Sequence, residues 1–195
     1  MITDKSNGYE DVATIFIKGR GQAVNGIGSS SVRNWVRTLP LNAVVLDLGC
    51  GTGIPNSKLL IDGGMEVYGI DASPTLVKAF QNNFPNTPVV CEAAEDSLFF
   101  NRKFDGIIAW GLLFLLPKET QEIVIQKAAN ALQTGGKLLF TAPSKKTEWR
   151  DIMTGRCSIS LGEKQYKHLL TASGLSLTEE FEDEGENHYF NAVKI

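Results

Sequence analysis

The chain predicts an α/β fold, a three-layer αβα sandwich around a mostly parallel seven-stranded sheet with an antiparallel C-terminal strand. Three observations carry this expectation. Runs rich in Val, Ile and Leu, without polar alternation, recur at 44–48, 67–70, 89–91, 106–109 and 137–141, as parallel strands covered on both faces require. Helical segments at 55–62, 74–83 and 118–132 fall between strands, the βα succession of a wound sheet. The tail changes character: 175–181 and 188–195 flank an acidic, glycine-containing turn, and Tyr189, Asn191, Val193 and Ile195 alternate. That pattern predicts a hairpin finishing the sheet.

Residues 9–19 read as a helix with Ala13, Phe16 and Ile17 on one side, and a glycine-laden stretch over 19–28 leads to a second helix, 30–39, stopped by Pro40. Ser73-Pro74 supplies an N-cap followed by proline in the first helical turn. Gly135-Gly136 is expected to end the long helix. A further helix over 163–173 ends at Gly174. The 18 residues from Pro143 to Ser160 exceed an ordinary connection and carry Trp149, Arg150, Ile152 and Met153. They read either as a lid over a pocket or as a helix over 146–153 covering the sheet edge.

Composition bounds the function. At 195 residues, 43% hydrophobic and 21% charged, the chain fits one globular domain. We read 1–195 as that domain, with 1–42 an N-terminal helical segment forming part of an active-site cover and 43–195 the core. Net charge is −3 and six of the eight residues from Glu179 to Glu186 are acidic, which speaks against nucleic acid as a partner. Cys50, Cys91 and Cys157 have no CxxC spacing and no histidine set, so neither a disulfide framework nor a metal site is expected. Cys50 and Cys91 read as small buried or half-buried fillers. No signal-like or membrane-length apolar segment is visible, and a cytoplasmic location without membrane partners is the expectation.

The chemistry concentrates where the first strand runs into Gly49-Cys50-Gly51-Thr52-Gly53. Glycines let a turn approach a ligand, the following helix offers unpaired N–H groups, and Asp71 ends the neighbouring strand where a carboxylate can take two ribose hydroxyls. The dinucleotide fingerprint needs its third glycine at position 54, which is Ile. Asp47, beneath the turn, suits a ligand bearing an ammonium or sulfonium rather than a pyrophosphate.

An acidic residue, any residue, then Gly-x-Gly-x-Gly resembles the first motif of the class I S-adenosylmethionine-dependent methyltransferases, and Asp71 stands at the distance that family uses. The antiparallel tail fits the same family, whose Rossmann-like sheet has a reversed seventh strand. The resemblance covers residues 43–142 closely and the remainder loosely. It implies S-adenosyl-L-methionine as cofactor and methyl transfer as the reaction. Asp71 would then hold the ribose, with Ile70 and Ala72 beside it. Gly49, Cys50, Gly51 and Gly53 would leave room for the ribose and methionine portions. Asp47 would hold the turn or approach the methionine amino group. Ala94 and Glu95 would lie near adenine, although matching Glu92-Ala93 instead is an open alternative. The Ala109 carbonyl would face the amino group, Trp110 would enter the active-site mouth, and Arg20 would offer a fork to the methionine carboxylate, with Tyr9 a further candidate on the preceding helix.

Relatives that carry a histidine near 114 or 115 are not matched, since Phe114 and Leu115 stand there, and no catalytic base is assigned. Methyl transfer tolerates this because the leaving group is already excellent. A small-molecule acceptor is the first reading. Protein or RNA methylation, a nicotinamide oxidoreductase and a cofactor-binding protein without turnover are the alternatives. His168 reads as surface, and the orientation of His188 is left open.

Overall fold

The computed structural model describes residues 4–19 and 24–195. A seven-stranded sheet runs in the order β3-β2-β1-β4-β5-β9-β8. Its strands are β1 (Val44–Leu48), β2 (Glu66–Asp71), β3 (Val89–Cys91), β4 (Phe104–Ala109), β5 (Leu132–Thr141), β8 (Leu175–Glu182) and β9 (His188–Lys194). The first five pair in parallel, and β9 runs antiparallel between β5 and β8. Helices α1 (Tyr9–Gly19), α2 (Ser29–Val36), α3 (Asn56–Asp62), α4 (Pro74–Asn83), α5 (Lys118–Ala131) and α6 (Glu163–Ala172) complete the sandwich. The chain winds outward from β1 through β2 to β3, then crosses to β4 and β5. The carboxyl ends of β1 and β4 therefore form the switch point at which α/β sheets bind ligands.

Two apolar cores explain the unalternating strand composition. Successive residues of a strand face opposite ways, so Val45, Val67, Ile108 and Leu139 pack on Trp35, Leu59 and Leu60 of α2 and α3. Their neighbours Leu46, Ile107, Leu138 and Phe140 pack on Val124, Ala128 and Tyr166 of α5 and α6. Both faces being covered, both need apolar side chains. Tyr166 carries its hydroxyl inside by donating to Gln121 Oε1 at 2.7 Å, as a buried phenol requires.

Ser73 caps α4, its Oγ accepting from the Leu76 amide at 3.2 Å. The glycine pair behaves differently from expectation. Helix α5 ends at Ala131 and gives way directly to β5, so Gly135 and Gly136 lie within the strand. There Phe104 pairs with Leu132 and Gly106 with Lys137. The extra β5 residues are accommodated as a bulge, which Gly135 serves with its φ of 81°.

The span 143–160 forms no helix. It folds into a two-stranded antiparallel hairpin of β6 (Thr147–Arg150) and β7 (Cys157–Ser160), with Trp149 opposite Ser158. Cys50 is buried, but Cys91 is exposed because β3 is a three-residue edge strand, so it is no core filler. Among the described residues no helix is long and apolar enough to cross a membrane, and no cluster of His, Cys, Asp and Glu could hold a metal ion.

Candidate active site

The cavity at the switch point grows out of the β1–α3 turn. After Leu48 the chain bends back so that the amides of Gly49 and Cys50 both donate to the Ile70 carbonyl, at 2.8 and 3.0 Å. Gly49, Gly51 and Gly53 all take the left-handed conformation, with φ of 71°, 55° and 78°, which side-chain-bearing residues rarely adopt. The neighbouring strand then places Asp71 against the turn. Its Oδ2 accepts from the Gly51 amide and its Oδ1 from the Ser73 amide, both at 2.8 Å. Each carboxylate oxygen keeps a further lone pair for a ligand hydroxyl. Burial raises the Asp71 pKa, the Ser73 and Gly51 amides pull it back down, and the charge of Glu10 pushes it up again.

The cavity has a volume of about 650 Å³. Of the residues singled out in the sequence, Gly49, Cys50, Gly51, Asp71, Ala72, Ala94, Glu95 and Trp110 line it. Glu92 and Ala93 line it too, so both candidate matches at the adenine end reach the wall. Lys127 fixes this stretch by donating to the Ala94, Glu95 and Ser97 carbonyls at 3.2, 2.6 and 2.6 Å. Glu95 Oε2 is buried without a hydrogen-bond partner among the described residues. Trp110 is aimed by its indole N–H, which donates to Tyr189 Oη at 2.7 Å, while Tyr189 donates to Asp183 at 2.8 Å.

Other singled-out residues lie elsewhere. Asp47 and Ala109, each 1% exposed, sit behind the wall rather than on it. Asp47 accepts from Ser57 Oγ at 2.6 Å. Burial raises its pKa to about 7, with the Ser57 hydrogen bond opposing and the Asp71 charge adding to the rise. Ala109 ends β4 opposite Phe140 in the core. Gly53 faces away from the cavity, and a Cβ there would come within 2.5 Å of Phe84 and 2.9 Å of Phe80. Its lack of a side chain serves the packing of α4, not ligand entry. Arg20 lies outside the described residues. His188 binds Glu180 on β8, its Nε2 at 3.3 Å from Oε1, and is not part of the cavity wall.

The other half of the wall comes from distant segments. Tyr9 and Phe16 of α1 pack edge to face with centroids 5.8 Å apart, and Phe16 lies over Gly51, 3.6 Å from where a Cβ would be. Asp151, in the turn of the β6–β7 hairpin, lines the cavity at 9% exposure. Asp151 holds that turn by accepting from the Met153 and Thr154 amides at 2.9 and 2.8 Å, and Tyr9 donates to its other oxygen at 3.4 Å. Helix α1 is fastened on its opposite side as well. Glu10 accepts from Ser73 Oγ, from the Thr75 amide at 3.1 Å and from Thr75 Oγ1 at 2.6 Å. Burial works to raise the Glu10 pKa, and these hydrogen bonds outweigh it and hold it low. Sequence reasoning did not place Asp151 at the site. The one local signal was Asp151 followed by Thr154-Gly155, a turn in which a carboxylate can take downstream amides.

The switch-point cavity, the glycine turn and the carboxylate closing the second strand define a class I S-adenosylmethionine-dependent methyltransferase fold. A family model described as a methyltransferase domain matches residues 45–136, the stretch that carries the glycine turn and Asp71. It is 34% identical over 107 residues to protein arginine N-methyltransferase 2 of Dictyostelium discoideum, covering 52% of this chain and 20% of that one. It is 31% identical over 101 residues to tRNA U34 carboxymethyltransferase of Aliarcobacter butzleri, covering 50% and 33%. The matches thus span a third or less of the length of these curated relatives. Among solved structures, magnesium protoporphyrin IX methyltransferase of Synechocystis with bound SAM aligns with TM-score 0.69 at 19% identity, over 95% of this chain and 97% of that one. An amino pentose methyltransferase of Micromonospora echinaspora aligns with TM-score 0.73 at 14% identity, over 94% and 97%.

The residues present fit the family's cofactor. Asp71 is anchored by two amides with its remaining lone pairs available for a diol. Gly51 borders the cavity with no side chain of its own beneath the Phe16 ring, and the unpartnered Glu95 oxygen matches an amine donor.

Proposed function

We propose that this chain transfers a methyl group from S-adenosyl-L-methionine to a small-molecule acceptor. When bound, the cofactor supplies a methyl group on a sulfonium that leaves as a neutral thioether. The protein's own part is alignment and exclusion of water. In this reading Asp71 takes the ribose hydroxyls through charge-assisted hydrogen bonds. Gly49, Cys50 and Gly51 border the ribose and methionine portions with Ala72 alongside, and Ala94 and Glu95 border adenine. Trp110 stands at the reacting end, its ring fixed by Tyr189. Asp47 and Ala109 support from behind the wall, and Arg20 is the proposed partner of the methionine carboxylate.

The observation that carries the small-molecule reading is the roof. Tyr9, Phe16 and Asp151 cover the same cavity whose floor is the glycine turn. A volume of about 650 Å³ lies in the ordinary range for small-ligand sites, roughly 300–1,000 Å³. Calorimetry with S-adenosylmethionine, S-adenosylhomocysteine and NAD tests the cofactor, and binding of NAD alone would overturn it. Methyl transfer to a small-molecule panel, compared with an arginine-rich peptide and with bulk tRNA, tests the acceptor. Turnover confined to either macromolecule would overturn the small-molecule assignment.

A further inference from the structure

The hairpin half of the roof brings a carboxylate to the cavity. Asp151 is held between two sets of contacts, its Oδ1 on the Met153 and Thr154 amides and its Oδ2 facing Tyr9. That outer hydrogen bond is long, at 3.4 Å, so a stronger donor can replace or share it. Tyr9 brings an aromatic ring to the carboxylate, and further rings line the same cavity. Tyr9 touches it and stacks edge-on to Phe16, which overlies Gly51. Phe114 lines the cavity below the hairpin and packs on Trp149 with centroids 5.4 Å apart. A continuous run of contacts therefore leads from Asp151 to the glycine turn.

The electrostatic balance of the wall points the same way. Asp71, Glu92, Glu95 and Asp151 line the cavity, and Lys5 is the single Lys or Arg among the described lining residues. Lys5 is already engaged, with Glu95 at 3.3 Å and Asp96 at 2.5 Å. Among the described residues, an anionic acceptor entering this cavity meets four carboxylates and no lysine or arginine besides the engaged Lys5. A carboxylate in a cavity that is also lined by Tyr9, Phe16, Trp110 and Phe114 suits an ammonium group, since aromatic faces attract the same charge.

Resting on the methyltransferase reading above, we propose that the acceptor is a small aromatic or aliphatic amine and that Asp151 binds its ammonium group. The ammonium form is not nucleophilic. It passes one proton to Asp151 Oδ2, and the electron pair left on nitrogen forms the bond to the methyl carbon. The pair of the broken carbon–sulfur bond returns to sulfur, and the proton held by Asp151 leaves to solvent on product release.

The test is calorimetry on the full chain saturated with S-adenosylhomocysteine, using three probes of similar size: phenethylamine, phenethyl alcohol and hydrocinnamate. The amine should bind at least tenfold more tightly than the alcohol, and hydrocinnamate should not bind. Asp151→Asn keeps an oxygen for the turn amides. It should lower amine affinity about tenfold while leaving S-adenosylhomocysteine affinity within twofold. Should that variant not fold, the wild type supplies a local readout. The Met153 and Thr154 amide resonances, bonded to the same carboxylate, should move on adding amine and stay fixed on adding alcohol. Equal binding of hydrocinnamate and amine, an unchanged amine preference in D151N, or unmoved amide resonances would overturn the amine assignment while leaving the cofactor reading intact. Failure of the wild type to bind S-adenosylhomocysteine would overturn that reading and this one together.

Discussion

The two halves of the cavity wall are built on different principles. The floor is local: within the 23 residues from Gly49 to Asp71, backbone amides, glycine conformations and one carboxylate make a cradle that holds its shape through main-chain bonds. The roof is assembled at long range. Residues 4–19 meet a hairpin some 140 positions later through side chains alone, with Tyr9 on Asp151 and Arg156 facing Asp4 at 3.7 Å and Asp11 at 3.6 Å. Main-chain geometry is fixed by folding. Exposed side-chain pairs contribute little, roughly 0–1 kcal/mol each. The floor is thus a receptor set by its main chain and the roof a cover held by side chains, on the hairpin side partly by exposed ion pairs.

The sharpest way to break this contrast is to disturb the floor's packing. Gly53→Ala places a Cβ at a left-handed φ of 78° and against Phe80 and Phe84. It should cost about 2–4 kcal/mol from strain plus overpacking, read as a lowered Tm by scanning calorimetry. A Tm within a degree of wild type would mean that the turn is not rigid.

Asp71→Ala attacks the same floor chemically. Cofactor affinity should fall by about 2–3 kcal/mol, roughly 30- to 150-fold, with the fold retained. Lost stability with unchanged affinity would make Asp71 only a brace for Gly51 and Ser73.

Asp47 gives a pH signature of intermediate size. Its pKa is raised to about 7 from 3.8 by burial and the neighbouring Asp71 charge, against the Ser57 hydrogen bond. A raised carboxyl pKa means that the folded state keeps a proton which the unfolded state has released. Stability is therefore fully present below about pH 4 and declines as pH climbs toward 7. Asp47→Asn removes that dependence and should gain roughly 1–3 kcal/mol on wild type across this window. Parallel Tm profiles for the two proteins between pH 4 and 8 would contradict it.

The smallest effect on stability belongs to the roof. Arg156→Ala should change Tm by no more than about 2 °C, as exposed ion pairs allow. It should nevertheless raise hydrogen exchange in residues 4–19 and 151–156. Unchanged exchange there would show that the aromatic contacts alone hold the cover.

The same contrast decides what was legible in the sequence. The first three strands, α1 and α4 were read to within a residue or two because apolar runs, the Ser73-Pro74 cap and the glycine turn are local signals. So were Asp71 and the wall residues around it. The roof was not legible in this way. Asp151 has no motif, and it reaches the site only because β6 and β7 pair and carry their turn toward Tyr9. Trp149 and Ile152 suggested a lid or a helix, whereas the strand alternation of 157–160 was too short to stand out. Gly53 misled for another reason. A glycine in a binding motif invites a ligand explanation, and only the positions of Phe80 and Phe84 reveal that it makes room for a helix.

One contact makes the order of events at this site matter. Glu10 on α1 takes its three hydrogen bonds from Ser73 and Thr75, the first turn of α4 directly after Asp71. Lifting α1 away therefore strips hydrogen-bonding partners from the segment that presents the ribose-binding carboxylate. A truncated chain beginning after α1 is not simply the same receptor with its roof removed, because the floor loses a brace. By the reciprocity of linked equilibria, a ligand that orders the segment around Asp71 also favours the seated helix. A molecule seated first on the glycine turn thus helps finish the chamber that the second one enters.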